Sequence, residues 1–518
     1  MKKKETYNLI LTCLSTIPPK TIIAIDEGKP NEYKYYKDNN LVTTGVMTNE
    51  AGIKYTIQEL KDKGDKLDAI YYVASQRVMT KAVAFENGKE HSLNGLNHAK
   101  YFEKRIYEYC DECDFDPISF IKGDILSDSP TGQELVNFSA IIADKIISLK
   151  NSDENKDKEF HLYIEGNGGF RDFVNVATAV LSTLKNENIH IEKVIGVNLG
   201  ANNTGVFVDK TNAYQIYDLY SGIDEFINYG RSRNIEYFFK EANLKLTDSM
   251  QKVIHSITRM SDFFTLCRPL LILKATKELK NSIERYNNSS EESKQKVFDY
   301  LTAKINRVYK PIFDTFDKTN EKESLVNYAT VKAVIDYCLD HNLIQQSLII
   351  YSELMPIVIY NMEILQPGKK VKQDYETYIN NKNKNGSHYS KEYQFIQQDM
   401  LLLRKNKNNR GKKIDLVGLT PFEKYRIDNN NCFIKFPSTP NEKSSYVRKL
   451  LKGNYVASKY NIDNVILIIK DYWIIKEARN MSAHADISDK IPKDFYNLDS
   501  AKEYVRNAIG RIDELLGK

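Results

Sequence analysis

The hydrophobic pattern of this 518-residue chain changes character once, near Ile223. Before that residue, short apolar segments alternate with amphipathic segments of helical period, as in a mostly parallel sheet covered by helices. After it, strand-like segments nearly vanish and long segments of helical period follow one another. The pattern therefore predicts an α/β N-terminal half with a Rossmann-like sheet, followed by an all-α C-terminal half.

The predicted elements follow this division. In the first half, strands are expected at 9–14, 21–25, 69–74, 160–164 and 193–199, with a closing hairpin of 204–208 and 215–219, and helices at 51–60, 98–110, 133–149 and 173–184. In the second half, helices are expected at 223–241, 248–265, 271–285, 290–316, 323–341, 343–365, 392–403, 444–457, 463–484 and 500–516. Asp499 or Ser500 is the expected N-cap of the last helix.

The length exceeds that of one ordinary core, so several domains are expected. The predicted division is an α/β ligand-binding domain over 1–225, a helical linker over 226–320 and a C-terminal helical domain over 321–518. A basic insertion interrupts the last domain at about 366–415. No apolar segment reaches the roughly 20 residues of a membrane span, and six cysteines do not form a disulfide framework, so a cytoplasmic protein is expected.

Positive charge is concentrated between Lys369 and Lys413. This segment holds twelve Lys or Arg against four Asp or Glu, and tyrosines are interleaved among them. Such a mixture suits single-stranded nucleic acid, through phosphate neutralisation and base stacking. A solvated Asn/Lys-rich connection has the same composition, and the sequence leaves both interpretations open.

The segment Arg479-Asn480-Met481-Ser482-Ala483-His484 carries the groups needed to cleave RNA without a metal. A histidine near neutrality takes the proton of a ribose 2′-OH, and a guanidinium holds the charge that builds on the phosphate. The alternative is a surface arginine beside a chance histidine. Arg479 and His484 lie about 500° apart along an ideal helix, which leaves about 140° between them. Two copies meeting across a two-fold axis could surround one phosphodiester, which favours a dimer.

A glycine-rich loop, Glu165-Gly166-Asn167-Gly168-Gly169-Phe170-Arg171, follows a predicted strand and precedes a helix. Glycines there let the backbone approach a ligand, and helix-terminal N–H groups with an arginine suit phosphate. The spacing lacks the dinucleotide fingerprint, so an NAD site is disfavoured. A tight strand–helix turn is the alternative.

Two further strand ends fall at the edge where an open α/β sheet places its ligand. Ser15 and Thr16 follow the first strand, and Ser75, Gln76 and Arg77 follow the strand at 69–74. We expect these residues to form a phosphate- and base-reading pocket with the loop residues Asn167, Gly168, Gly169 and Arg171.

No metal site is predicted. Cys110 and Cys113 form a lone C-x-x-C pair at a helix end, without the second pair that zinc needs. His91 and His98 are expected in a loop without acidic partners.

Several segments, taken in order, resemble the CARF–HEPN ribonucleases of type III CRISPR defence, the Csm-six and Csx-one group. In the first half they are ILTCLST, TTGVMTNEA, YYVASQR, YIEGNGGFRD, VIGVNLGANNTGVFV…YQIYDL and FINYGRS, and in the second half VIDYCLDHNLIQQSLIIYSELMP and ARNMSAHA. The resemblance implies a CARF domain that binds cyclic oligoadenylate across a homodimer. It also implies a HEPN domain that cleaves single-stranded RNA without cofactor or metal.

The resemblance assigns roles to individual residues. Arg479 and His484 become catalytic, Asn480 orients or caps, and Glu353 is a supporting polar residue. The expected loop hydroxyl is replaced by Asn167, so cleavage of the activator by the CARF domain is left open. The leading hypothesis is a cyclic-oligoadenylate-activated endoribonuclease. The alternative is a cyclic-nucleotide sensor whose helical domain is an interaction module, with or without ring-cleaving activity.

Overall fold

A computed structural model describes most of the chain. The described residues are 5–169, 172–184, 187–200, 202–241, 245–290, 295–317, 325–384, 390–396, 439–483, 495 and 497–518. The chain divides into two compact units, Met1–Leu219 and Tyr220–Lys518. The division into three domains stays a prediction.

The first unit contains an eight-stranded, mostly parallel sheet. Its strands are β1 (Thr6–Leu14), β2 (Tyr33–Lys37), β3 (Asn40–Gly45), β4 (Ala69–Ser75), β7 (Ser119–Leu126), β8 (Glu159–Glu165), β9 (Ile189–Leu199) and β10 (Thr204–Asp209), while β5 (Lys81–Glu86) and β6 (Lys89–Asn97) form a separate hairpin. The spatial order is β3-β2-β10-β9-β8-β1-β4-β7. Only the β2–β3 and β9–β10 pairs are antiparallel in this sheet. The predicted mixed α/β class is confirmed.

Helices supply the apolar cover of this sheet. They are α1 (Pro19–Asp26), α2 (Thr48–Lys63), α3 (His98–Cys113), α4 (Gly132–Lys150) and α5 (Phe173–Leu184), with a 3-10 turn at Arg77–Met79. Successive side chains of a strand face opposite sides. Ile10 accordingly joins a cluster with Ile53 of α2, while Leu9 joins a second cluster with Phe138 of α4. Both faces are buried, which explains the nearly continuous apolar sequence of β1.

Two predicted strands of the first half are wrong. Residues 21–25 belong to α1, because Pro19 at its first position presets the helical φ despite the β-branched residues that follow. Residues 215–219 belong to α6 (Thr211–Tyr229). The hairpin is instead formed by β9 and β10, and Asn202 and Asn203 between them adopt positive φ.

The second unit is helical apart from a two-residue pairing of Gln366–Pro367 with Val456–Ala457 among its described residues. Its helices after α6 are α7 (Arg233–Glu241), α8 (Asp248–Thr265), α9 (Pro269–Asn287), α10 (Lys296–Asp317), α11 (Tyr328–Asp340), α12 (Ile344–Asn361), α13 (Lys372–Lys384), α14 (Lys391–Gln394), α15 (Pro440–Lys452), α16 (Ile462–Ala483) and α17 (Leu498–Leu516). Within this unit α16 packs against α12, α15 and α17.

Local chemistry corrects two helix boundaries. The helix predicted over 223–241 is broken at Gly230, whose φ of 66° ends α6 before α7 begins. The N-cap of α17 is Asn497, whose side-chain oxygen accepts from the Ser500 N–H at 2.8 Å. The expected caps Asp499 and Ser500 are therefore wrong, because the helix starts at Leu498, two residues earlier than predicted.

Much of the predicted basic insertion lies outside the described residues, which leave out 385–389 and 397–438. Its role in binding nucleic acid stays a prediction. Among the described helices, none has the length and apolar character required to span a bilayer.

Candidate functional site

Three predicted strand ends meet at one edge of the sheet. Strands β8, β1 and β4 are parallel neighbours, with Thr12 opposite Glu165 and Leu14 opposite Ala74. Their carboxyl ends therefore point the same way. Ser15 and Thr16 follow β1, Gln76 and Arg77 follow Ser75 at the end of β4, and the glycine loop follows β8.

A buried polar cluster lies beneath this edge. Asn49 of α2 is 0% exposed, and its Nδ2 donates to Glu165 Oε2 at 2.7 Å and to the Cys13 carbonyl at 2.8 Å. Asn49 Oδ1 accepts from the Ser15 hydroxyl at 3.0 Å. The Thr12 hydroxyl donates to the same Glu165 oxygen at 3.0 Å. One amide side chain thus joins the ends of β1 and β8.

The glycine loop rests directly on this cluster. A Cβ at Gly168 would lie 1.5 Å from Asn49 Nδ2, and one at Gly169 would lie 2.0 Å from Cys13 Sγ. Gly169 also has a φ of 79°, in the left-handed region. The two glycines are required because the loop backbone packs against the end of β1. The approach of this backbone to a ligand stays a prediction.

Glu165 is held in this cluster at 1% exposure. Burial raises the pKa of its carboxyl, although hydrogen bonds from the Asn167 N–H, Asn49 and Thr12 act in the opposite direction. The Asn167 N–H donates to Glu165 Oε1 at 3.0 Å. Lys210, after β10, donates to Asn167 Oδ1 at 3.3 Å. The edge therefore combines a buried acid, an amide-lined loop and one nearby cation.

The sequence interpretation missed Asn49, Glu165 and Lys210 as parts of this edge. Asn49 lies inside the quoted TTGVMTNEA segment, and Glu165 begins the glycine loop, so their positions carried a signal. Lys210 lies 43 residues after Asn167 in the sequence and becomes its neighbour only through the pairing of β9 with β10.

The residues after β4 form a separate group at the same edge. Asp128 accepts from the Arg77 N–H at 3.0 Å, and hydrogen bonds from Ser75 and that N–H lower the pKa of the Asp128 carboxyl. The Gln76 and Arg77 side chains are exposed. Among the described residues, no hydrogen bond joins this group to the Asn49 cluster. Arg171, predicted in the same pocket, lies outside the described residues.

In the second unit, Glu353 and Arg479 meet between α12 and α16. Arg479 Nη2 donates to Glu353 Oε1 at 2.7 Å, and Nη1 donates to Asn480 Oδ1 at 2.9 Å. The two charged side chains are 28% and 27% exposed. Three of the four residues predicted for RNA cleavage are thus brought into one hydrogen-bonded group. His484 lies outside the described residues.

Local sequence explains why this pair forms. Glu353 is the only charged residue of α12, whose other side chains include the buried Leu348, Tyr351 and Leu354. A carboxylate on such an apolar helix needs a cation partner. The Tyr472 hydroxyl of α16 donates to the Ser352 carbonyl at 3.3 Å and ties the two helices together beside the pair. Arg479 Nε is buried and has no hydrogen-bond partner among the described residues.

The histidines of the first unit differ from expectation. His91 lies in β6, and its Nδ1 is 2.9 Å from the Asp26 carboxylate, so the absence of acidic partners was wrong. His98 begins α3 and accepts from the Ile17 N–H at 3.0 Å, and burial lowers the pKa of its imidazole. Ligand atoms of Glu27, Glu86 and His91 lie within 4.8 Å of one another. This is the one group of described side chains with metal-binding spacing, and its two glutamates are exposed.

Comparison with known proteins finds similarity to solved structures and to no family model or curated protein. No protein-family model matches the sequence. No curated protein matches it either. The solved structure of Enterococcus italicus Csm6 bound to cyclic hexa-2'-fluoro-hexa-dAMP is similar at 9% sequence identity and a TM-score of 0.29, over 98% of this chain and 95% of that chain. A TM-score of this size does not establish a shared fold.

Proposed function

We propose that this protein is an endoribonuclease that cleaves single-stranded RNA without a metal ion and is activated by cyclic oligoadenylate. One observation carries the proposal. Arg479 is held by Glu353 of α12 near the end of α16, five residues before His484. The resemblance implies only a supporting polar role for Glu353, and its ion pair with Arg479 supports that role.

The proposed reaction is attack of a ribose 2′-oxygen on the adjacent phosphorus. His484 takes the proton of the 2′-OH, the new P–O2′ bond forms and the P–O5′ bond breaks. The leaving 5′-oxygen takes a proton from water and His484 returns its own proton to the solvent, so the products carry a 2′,3′-cyclic phosphate and a 5′-OH. Arg479 stabilises the negative charge that accumulates on the phosphate oxygens.

Glu353 and Asn480 position the arginine in this scheme. They bind two of the three guanidinium nitrogens, and Nε is without a partner among the described residues. A guanidinium with one buried, unsatisfied donor is suited to a phosphate oxygen, since an unpaired buried donor is unfavourable. The 140° separation of Arg479 and His484 favours a site completed by a second copy of the chain.

The sheet edge of the first unit is the proposed binding site of the ring. Loop N–H groups above Asn49, the hydroxyls of Ser15 and Thr16, and the amides of Asn167 and Gln76 suit phosphates and adenine edges. Arg77, Arg171 and Lys210 supply the positive charge that phosphates require. The ring acts as an effector, because its binding changes the free energy of the RNA-cleaving state of the protein relative to that of its inactive state.

The test combines synthetic rings of three to six adenylates with a fluorescent single-stranded RNA in EDTA. We expect RNA cleavage only with one ring size, and no cleavage by the His484→Ala variant, which still binds the ring. Ring binding without RNA cleavage would support the sensor alternative instead. Loss of the ring over time would assign ring cleavage to the first unit.

A further inference from the structure

Two lysines lie on one tryptophan next to the Arg479 group. Lys443 of α15 has its Nζ 4.3 Å from the centroid of the Trp473 ring, and Lys476 of α16 has its Nζ 4.7 Å from the same ring. Trp473 is 6% exposed. Lys476 lies three residues before Arg479, a spacing that places both on one side of the helix. Three cations therefore lie near one another on α15 and α16.

These lysines are partly buried without an ion-pair partner. Among the described residues, no carboxylate oxygen lies within 4.0 Å of either Nζ, whereas Arg479 has Glu353. Burial is the main cause that lowers the pKa of Lys476 to about 8, and the charges of Lys443 and Arg479 act in the same direction. Burial also lowers the pKa of Lys443. Attraction to the ring face offsets only part of this desolvation.

The same cluster contains unsatisfied donors. Trp473 Nε1 and Arg479 Nε are both buried without a hydrogen-bond partner among the described residues. The charged groups acting on Lys476 are Glu353, Lys443 and Arg479, and the one acting on Lys443 among the described residues is Glu477. Among the described residues of this cluster, positive charge exceeds negative charge, and both unsatisfied groups are donors. An anionic ligand with several acceptor oxygens fits both facts.

We propose that Lys443 and Lys476 bind phosphates of the RNA strand that flank the phosphate held by Arg479. The inference rests on the proposed function, because it names the strand contacts of that same site. Lysine suits this role as a point charge, since it neutralises a phosphate without requiring one orientation. RNA phosphates then supply the counter-charge that the described residues do not provide to the two lysines.

The test measures RNA binding as a function of salt. Variants are made in the His484→Ala background, with a labelled mixed-sequence 12-nucleotide RNA and a mixture of rings of three to six adenylates present throughout. Each lost phosphate contact is expected to reduce the slope of log affinity against log salt by about 0.7. The double variant Lys443→Met/Lys476→Met should therefore lose about 1.4 from the slope and about tenfold in affinity at moderate salt.

Matched variants separate charge from folding. Lys449→Met removes an exposed lysine of α15 and should leave the slope unchanged. Lys443→Arg/Lys476→Arg keeps the charge and should keep the slope. If the Met variant unfolds in a thermal melt, Lys→Gln replacements, which retain part of the stem, carry the same comparison with the Arg pair. A Met or Gln variant that is folded and binds with the slope of Lys449→Met overturns the inference.

Failure of the inference and failure of the proposed function are distinguishable. If wild-type protein cuts RNA but the salt dependence of RNA binding does not depend on Lys443 and Lys476, the ribonuclease proposal stands and the inference is wrong. If the protein cuts no RNA but binds it with a salt dependence that these lysines determine, the inference stands and the ribonuclease proposal is wrong. Protein that neither cuts nor binds RNA removes both.

Discussion

The two candidate sites differ in whether their buried polar groups have hydrogen-bond partners among the described residues. At the sheet edge, the Glu165 carboxylate receives hydrogen bonds from Thr12, Asn49 and Asn167, all within one unit. Around Arg479, a guanidinium nitrogen and an indole nitrogen have no partner among the described residues. A satisfied network holds a binding surface in one shape before any ligand arrives. An unsatisfied cation cluster instead gains its missing partners when an anion binds.

The largest expected effect concerns the unsatisfied site. Arg479→Ala should lower RNA cleavage by about 10³-fold, because it removes the group that stabilises charge on the transition-state phosphate. The rate is measured with saturating ring and a labelled RNA. Arg506→Ala is the control, since Arg506 forms an exposed ion pair with Asp340 at 2.7 Å. Equal activity of the two variants would contradict the role of Arg479.

The next largest effect is expected from a substitution in the hydrogen-bonded cluster around Asn49. Asn49→Ala removes the donor shared by Glu165 and the Cys13 carbonyl, which should lower the free energy of unfolding by about 1–3 kcal/mol and weaken ring binding at least about tenfold. Denaturant unfolding and calorimetry with the activating ring measure the two quantities.

Asn8→Ala is its matched control. Asn8 is 2% exposed at the amino end of β1, where its side chain donates to the Lys66 carbonyl at 2.7 Å. This variant should lose comparable stability and keep its affinity for the ring. If both variants bind the ring equally, the edge near Asn49 is not the binding site.

A smaller effect is expected at Glu353. Glu353→Gln keeps the shape but removes the charge that holds Arg479, so kcat should fall about tenfold with little change in KM, because the transition state alone needs the arginine in place. Glu363→Gln, which affects the exposed pair with Lys459 at 3.0 Å, should leave kcat unchanged. A change in KM alone would assign Glu353 to substrate binding rather than to positioning.

The smallest effect is on stability and has an unusual sign. In the folded protein burial lowers the pKa of Lys476 to about 8 from its usual 10.5. Between these values the unfolded chain binds the proton more tightly, so this group makes the protein more stable as pH rises from 8 to 10.5 and least stable below 8. Lys476→Met should therefore raise the unfolding midpoint at pH 7 and lose part of that advantage at pH 9.5.

Thermal melts at the two pH values measure this difference. Lys449→Met is the control and should stay within about 0.5 kcal/mol of wild type at both pH values. A Lys476→Met variant less stable than wild type at pH 7 would show that the lysine is a structural contact rather than an unpaired cation.

Sequence periodicity predicted those helices and strands whose buried side chains recur at a regular spacing along the chain. The helix at 248–265 and the strand at 69–74 were identified because their apolar spacing matches the face they bury. Periodicity was wrong at 21–25, where a short apolar segment with β-branched residues is compatible with a strand or a helix. The prolines that precede it favour the start of a helix. It was also wrong at 215–219, which lie inside the helix α6 that follows β10.

The site residues also differ in how far the sequence alone could predict their positions. Loop residues that follow a strand, such as Ser15 and Gly169, could be predicted because parallel strands bring their carboxyl ends to one edge. Lys210 and Lys443 could not, because each meets its partners through pairings distant in sequence. Glu353 was expected only as a supporting polar residue, from the resemblance, and its ion pair with Arg479 became visible only in the structure. A lone carboxylate on the apolar helix α12 indicates that a cation partner is needed, but it does not identify that partner.

The chemistry of the RNA ends tests the central claim most directly. Wild-type protein, the activating ring and a labelled RNA are incubated in EDTA, and the ends of the products are identified by mass spectrometry. A metal-independent cleavage by His484 and Arg479 predicts a 2′,3′-cyclic phosphate and a 5′-OH. Products with a 3′-OH and a 5′-phosphate, or cleavage that EDTA abolishes, would contradict it.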